Sequence, residues 1–270
     1  MKPNQRRDPS GRRALAIILA LTIVLIIAVG VYALYTKLHA LWIEQCVVRD
    51  LAAQVTITSG KMVTEATIRD AFDLKNGANL ALIDFAEKRQ ETLRRYPTIR
   101  SLTVTRRLPD GVTIAVIERE PTVRLKAIGA KTDSGLVADT EGVAFPCRRG
   151  TSILPVILMP KLPAAGERIQ RRAMAALRLL ETARDPDLSE LGILEVSLAS
   201  PDYLTATLGN YSTAKIAWEG MNDDDLGPAA LHRQLSLLAA SIRANVRPHT
   251  TIWNATLPDT VFDSNRGSRQ

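Results

Sequence analysis

Groups able to do chemistry are few in this sequence. The three histidines, His39, His232 and His249, stand far apart, and no two share the short spacing that sets metal ligands on one helix face. Asp223-Asp224-Asp225 offers oxygens to a hard cation. It lacks the glycine and the closing glutamate of a calcium loop and reads as a solvated acidic loop. Cys147 is followed by Arg148 and Arg149, a cationic setting that favours a thiolate nucleophile, but no histidine stands beside it to act as base. Cys147 is read as structural, either bridged to Cys46 or unpaired. No G-x-S-x-G, S-x-x-K or G-x-x-x-x-G-K-[ST] run occurs. The residues therefore offer no catalytic set, no metal site and no cofactor site.

Charge and hydropathy say where such a chain resides. The 270 residues carry a net charge of +7. More than half of it sits in residues 1–13, where Lys2, Arg6, Arg7, Arg12 and Arg13 oppose Asp8 alone. The remainder is nearly neutral and presents no broad basic face for nucleic acid. Ala14 to Thr36 holds no charge and, at about 1.5 Å per residue, spans roughly 34 Å, enough for a hydrocarbon core of about 30 Å. It is too long for the apolar core of a signal peptide, and no good A-x-A site follows, so an uncleaved anchor is expected. The basic residues before it predict a cytoplasmic N-terminus. Residues 1–13 are thus a cytoplasmic tail, 14–36 a transmembrane helix and 37–51 a juxtamembrane connector, with Trp42 near the headgroups.

The exported region must be built from short elements. Residues 47–59 read as extended, with Val55 and Ile57 favouring a strand. Thr64 is placed to cap a helix, with Val63 and Ile68 at the staple positions. A second helix starts at Asp84, with Glu87 three residues on, and stops before Pro97. Leu102 and Val104, then Val112, Ile114 and Val116, alternate with smaller or polar residues on either side of Leu108-Pro109-Asp110-Gly111, which predicts a hairpin. The order strand, helix, helix, strand, strand makes a small α+β module.

Farther on, Glu167 to Arg184 reads as a helix with Ile169, Ala173, Ala176, Leu177 and Leu180 on one face. Arg168, Arg171, Arg172 and Arg178 then form a solvated face. Strands are expected near 193–198, 203–208 and 211–218, a helix over Ala229 to Ala244, and two last strands around Pro258-Asp259.

Several runs carry a resemblance. Gly77-Ala78-Asn79-Leu80-Ala81-Leu82-Ile83-Asp84, Pro97-Thr98-Ile99, Val104-Thr105-Arg106-Arg107-Leu108-Pro109 and Ile114-Ala115-Val116-Ile117-Glu118-Arg119-Glu120-Pro121 fall in an order that resembles the POTRA segment of the FtsQ/DivIB bacterial cell-division family. Gly135 to Phe145, with its D-x-x-G turn, and Leu154-Pro155 are similar to that family's β domain. The resemblance implies a POTRA domain over 52–122, a strand-rich β domain with two helices over 123–263, and a disordered tail over 264–270. It also implies a non-catalytic, single-pass scaffold of the inner membrane and division septum, binding FtsB/FtsL-type bitopic partners and other membrane division proteins.

The docking edge expected for the first partner is the final strand, Thr260, Val261 and Phe262, with Asn254, Thr256 and Leu257 before it. No later segment of this sequence is left to cover that strand. The family's I-D-L-[RS] run aligns with Trp253 to Leu257, with Asn254 in place of the acid. Ser101, Val104 and Arg106 are the candidates on the POTRA edge. The alternatives are a POTRA-bearing chaperone or secretion component and, less well supported, an envelope cell-wall enzyme using Cys147.

Overall fold

The computed structural model describes residues 9–107, 109–219, 227–244 and 252–264. Helix α1 runs unbroken from Pro9 to Gln45. Its stretch Leu21–Gln45 has a mean hydropathy of 2.0, and none of it is buried within the protein. A helix that is apolar all round and covered by nothing needs an apolar solvent, so this is one membrane-spanning helix. Most of the expected connector is therefore helical: Leu38, Leu41 and Trp42 continue the spiral as far as Gln45.

The chain forms two compact units. One comprises Met1–Ser59, Thr64–Arg89 and Thr103–Ala115; the other comprises Gly60–Val63, Gln90–Leu102 and Val116–Gln270. Along the chain, α1 is followed by α2 (Leu51–Gln54), β1 (Val55–Thr58), α3 (Glu65–Ala71), α4 (Phe85–Arg95), β2 (Ile99–Arg107) and β3 (Gly111–Glu118). The strands form a sheet of order β1-β3-β2, with β1 parallel to β3. Val55 lies opposite Val112 and Ile57 opposite Ile114. All four are buried, while Thr56 and Thr58 between them are exposed, the period of two expected of a strand with one face on a core.

The helix starts are capped as the residues predict. The Thr64 hydroxyl accepts from Thr67 N–H, and Asp84 Oδ1 accepts from the Ala86 and Glu87 N–H groups. Residues 51–54 differ from the extended reading. Asp50 Oδ1 accepts from Ala52 N–H and Gln54 Oε1 from the Arg49 and Asp50 N–H groups, a reciprocal cap that coils the chain for one turn before β1. Leu102 is buried, but Val104 is only half-buried. Leu108, in the expected turn, lies outside the described residues.

A second sheet has nine strands. These are β4 (Val123–Ala127), β5 (Leu136–Ala138), β6 (Ala144–Pro146), β7 (Val156–Met159), β8 (Glu195–Ser197), β9 (Tyr203–Thr207), β10 (Thr213–Ala217), β11 (Ile252–Ala255) and β12 (Phe262–Asp263). Their order is β12-β11-β10-β9-β8-β7-β4-β5-β6. Helices α5 (Arg171–Thr182) and α6 (Gly227–Ala244) pack against this sheet. Leu177, Leu179 and Leu180 of α5 and Leu231, Leu235 and Leu238 of α6 enter one core with Ile157, Leu204, Ile216 and Trp253.

The expected helix from Glu167 begins four residues late. Ala144 N–H donates to Glu167 O, Gly166 N–H to Ala144 O and Ile169 N–H to Gly142 O, so the segment runs extended along β6 and covers that end of the sheet. Nor is the arginine face wholly solvated. The Arg172 guanidinium donates to the Leu198 and Ser200 carbonyls and lies over the Trp218 ring.

Candidate partner-docking edge

The covered end of the nine-stranded sheet leaves β12 as its other end, and among the described residues no strand lies beyond it. This strand is antiparallel to β11, with Asn254 opposite Phe262 and Trp253 opposite Asp263. The packing behind it is firm. Trp253 and Ala255 are buried, and Val261 packs on the core. The Gln234 amide, on α6, donates to the carbonyls of Ala255 and Leu257 as the chain leaves β11. Asn254 Oδ1 accepts from both the N–H and the hydroxyl of Thr256, at 3.0 and 2.7 Å. Where the aligned motif carries an acid, this chain uses an amide to close its own turn. Asp259 takes a positive φ of 57° in the bend that reverses the chain.

The six candidate residues therefore fall into different classes. Asn254 and Thr256 are half-buried and bonded to each other, Val261 belongs to the domain, and Leu257, Thr260 and Phe262 are exposed. Phe262 is 43% and Leu257 54% exposed. Large apolar side chains exposed on and beside a terminal strand that is backed by the core have the chemistry of a β-augmentation site: backbone groups for pairing and apolar anchors for register.

The other three candidates lie on β2, at an end of the three-stranded sheet. Ser101 and Val104 are half-buried and Arg106 exposed. Arg106 has local work: its guanidinium stands 4.6 Å from the centre of the Phe85 ring and donates to Ile83 O.

Two polar clusters are invisible in the spacing of the sequence. Arg119 Nη1 lies 2.5 Å from Asp139 Oδ2 and 3.3 Å from Glu141 Oε2, while Arg100 binds Glu141 Oε1 at 2.6 Å. Asp139 is buried and also accepts from Val143 N–H, so the D-x-x-G turn presents its acids to these arginines. The Arg100 and Arg119 guanidinium groups hold the Glu141 carboxyl below the usual range. Next to Arg119, the Glu118 carboxylate accepts from the N–H groups of Lys61, Met62 and Val63, and a Cβ on Gly60 would collide with it.

The second cluster brings His232 Nε2 to 3.2 Å from Asp187 and 3.7 Å from Asp185, all at the surface. Cys46 and Cys147 are both free, and the Cys147 thiol points to Arg149 O at 3.6 Å. His249 and Asp223 to Asp225 lie outside the described residues.

Among known families, the FtsQ-type POTRA domain matches residues 52–119. The chain is similar to the cell division protein FtsQ of Corynebacterium glutamicum, with 25% identity over 131 residues, covering 48% of this chain and 52% of that one. It is also similar to the FtsQ of Streptomyces coelicolor, 29% identical over 147 residues (53% and 49% of the two chains), and to that of Streptomyces collinus, 28% identical over 92 residues (34% and 33%). The chain spans about half or less of the length of these relatives. An apolar first helix, a β-α-α-β-β module whose motifs fall in POTRA order, and these matches agree: residues 52–119 are similar to an FtsQ-type POTRA domain, and the chain is similar to FtsQ cell-division proteins.

Proposed function

We propose that the chain is a non-catalytic, single-pass scaffold of the bacterial division machinery. Its N-terminus is cytoplasmic and its two sheets stand outside the inner membrane at the septum. The β12 edge docks an FtsB/FtsL-type bitopic partner by strand addition, and the β2 edge, with Ser101, Val104 and Arg106, meets other membrane division proteins. The domain limits that accompany this reading are 52–122 and 123–263.

One observation carries the proposal: a terminal strand with Leu257 and Phe262 exposed beside it, backed by Trp253, Val261 and Gln234. Partners anchored in the same bilayer meet at high effective concentration, so a short edge suffices. A fluorescent fusion imaged in dividing cells tests the role. Septal bands are expected, and uniform peripheral signal contradicts it. Release of peptidoglycan fragments by the exported region, lost in Cys147→Ala, would replace the scaffold with an envelope enzyme.

A further inference from the structure

Where α1 leaves the membrane, the chain is tied to a distant loop. Asn79 Nδ2 donates to Ile43 O, in the last turn of the helix, at 3.0 Å. Val47 and Asn79 form an antiparallel bridge. Val48 N–H donates to Ala78 O, Gly77 N–H to Val48 O and Leu80 N–H to Cys46 O, all within 2.9 Å. Cys46, Val48 and Leu80 are buried in this joint. The loop thus cannot drift from the helix end without losing four backbone and side-chain bonds and exposing three apolar side chains.

Direction follows from the pairing. Cys46 to Val48 carries the chain onward from the helix, so the antiparallel run Ala78 to Leu80 heads back toward the bilayer. It ends in a turn closed by Leu82 N–H on Asn79 O. Leu82 is at that turn and is 73% exposed, more than Leu25 or Tyr32 on the uncovered α1. Two residues past Leu80 reach back at most about 7 Å, the rise of four to five helical residues. The turn therefore lies between Cys46 and the level of Leu41 and Trp42, which are themselves exposed on α1, and a tryptophan at the end of a membrane span marks the headgroup layer.

We propose that the Asn79–Leu82 turn is a second membrane contact, with the Leu82 side chain seated in the lipid headgroup layer beside Trp42. The inference rests on reading α1 as a bilayer span. Its consequence is mechanical: a helix end capped by Asn79 and a loop resting on lipid support the exported region at two points.

Full-length protein carrying Cys147→Ala, with Cys46 buried, is labelled with an environment-sensitive fluorophore at Leu82→Cys and reconstituted in phosphatidylglycerol/phosphatidylethanolamine nanodiscs. Labels at Leu34→Cys, inside the span, and Ile153→Cys, which is 89% exposed, serve as references. The Leu82 label is expected to emit to the blue of the Ile153 label and to lose emission when the lipids carry a shallow nitroxide. Emission equal to that at Ile153, with the Leu34 label still quenched, overturns the contact and leaves the span intact. A blue shift without nitroxide quenching assigns Leu82 to a second copy of the chain and also overturns it. Loss of quenching at Leu34 as well would remove the span and the contact together.

Discussion

The Arg119–Asp139 ion pair is largely buried. Arg119 and Asp139 are 14% and 5% exposed, and the Arg119 Nε–H has no partner. Removing one member strands a buried charge, so Arg119→Met is expected to cost about 3–5 kcal/mol in urea unfolding of the region after α1. Arg119→Met with Asp139→Asn should recover much of that loss, because both charges then leave together. A double variant as unstable as the single would show that the arginine acts by packing alone.

Two glutamates give opposite pH signatures. Glu141 has its folded pKa lowered by Arg100 and then Arg119, so its contribution is present above the unfolded value near 4.5 and is lost as pH falls through the folded one. Glu181 is pushed up by burial, against the pull of Arg184 and Arg178, and its Oε1 is unpaired. Its contribution is present below about pH 4.5 and is lost as pH rises through the folded value. Thermal melts should therefore find Glu181→Gln more stable than the native chain at pH 7 and Glu141→Gln less stable, with both differences closing in acid.

At the scale of elements, legibility follows the range of the forces involved. Caps and alternation are local, so Thr64, Asp84, the β3 stripe and the turn at Pro258-Asp259 can be read directly. The α2 turn escapes such a reading because Gln54 reaches back to Arg49 and Asp50, a cap set between the β-branched residues 47–48 and 55–58. The start of α5 is displaced because residues 166–169 bond to β6, and such pairing overrides helical periodicity. No spacing could announce that Arg119 meets Asp139 or that His232 meets Asp187, since these partners are brought together only by the fold.

The strand register has its own test. Ile114 is fully buried opposite Ile57, so Ile114→Ala should cost about 2–5 kcal/mol. Thr113, half-buried with its hydroxyl unpaired, should tolerate alanine far better. Equal losses in denaturant would contradict the register.

The whole molecule joins an uncovered helix to two sheets whose ends differ in treatment. One end of the large sheet is sealed by residues 166–169, and the other ends at β12. Pattern alone names candidate residues at that end, but their separation into backing and contact surface needs the fold. Val261 packs on the core, so proline there would disturb folding and docking at once. Phe262, exposed and opposite Asn254, isolates the edge.

The most direct test is therefore binding of an FtsB/FtsL-type partner by the region after α1 carrying Phe262→Ala, measured beside its thermal melt. A docking edge predicts that Kd rises by about tenfold or more, roughly 1.4 kcal/mol, with an unchanged melt. A lowered melt with full affinity per folded molecule would contradict it.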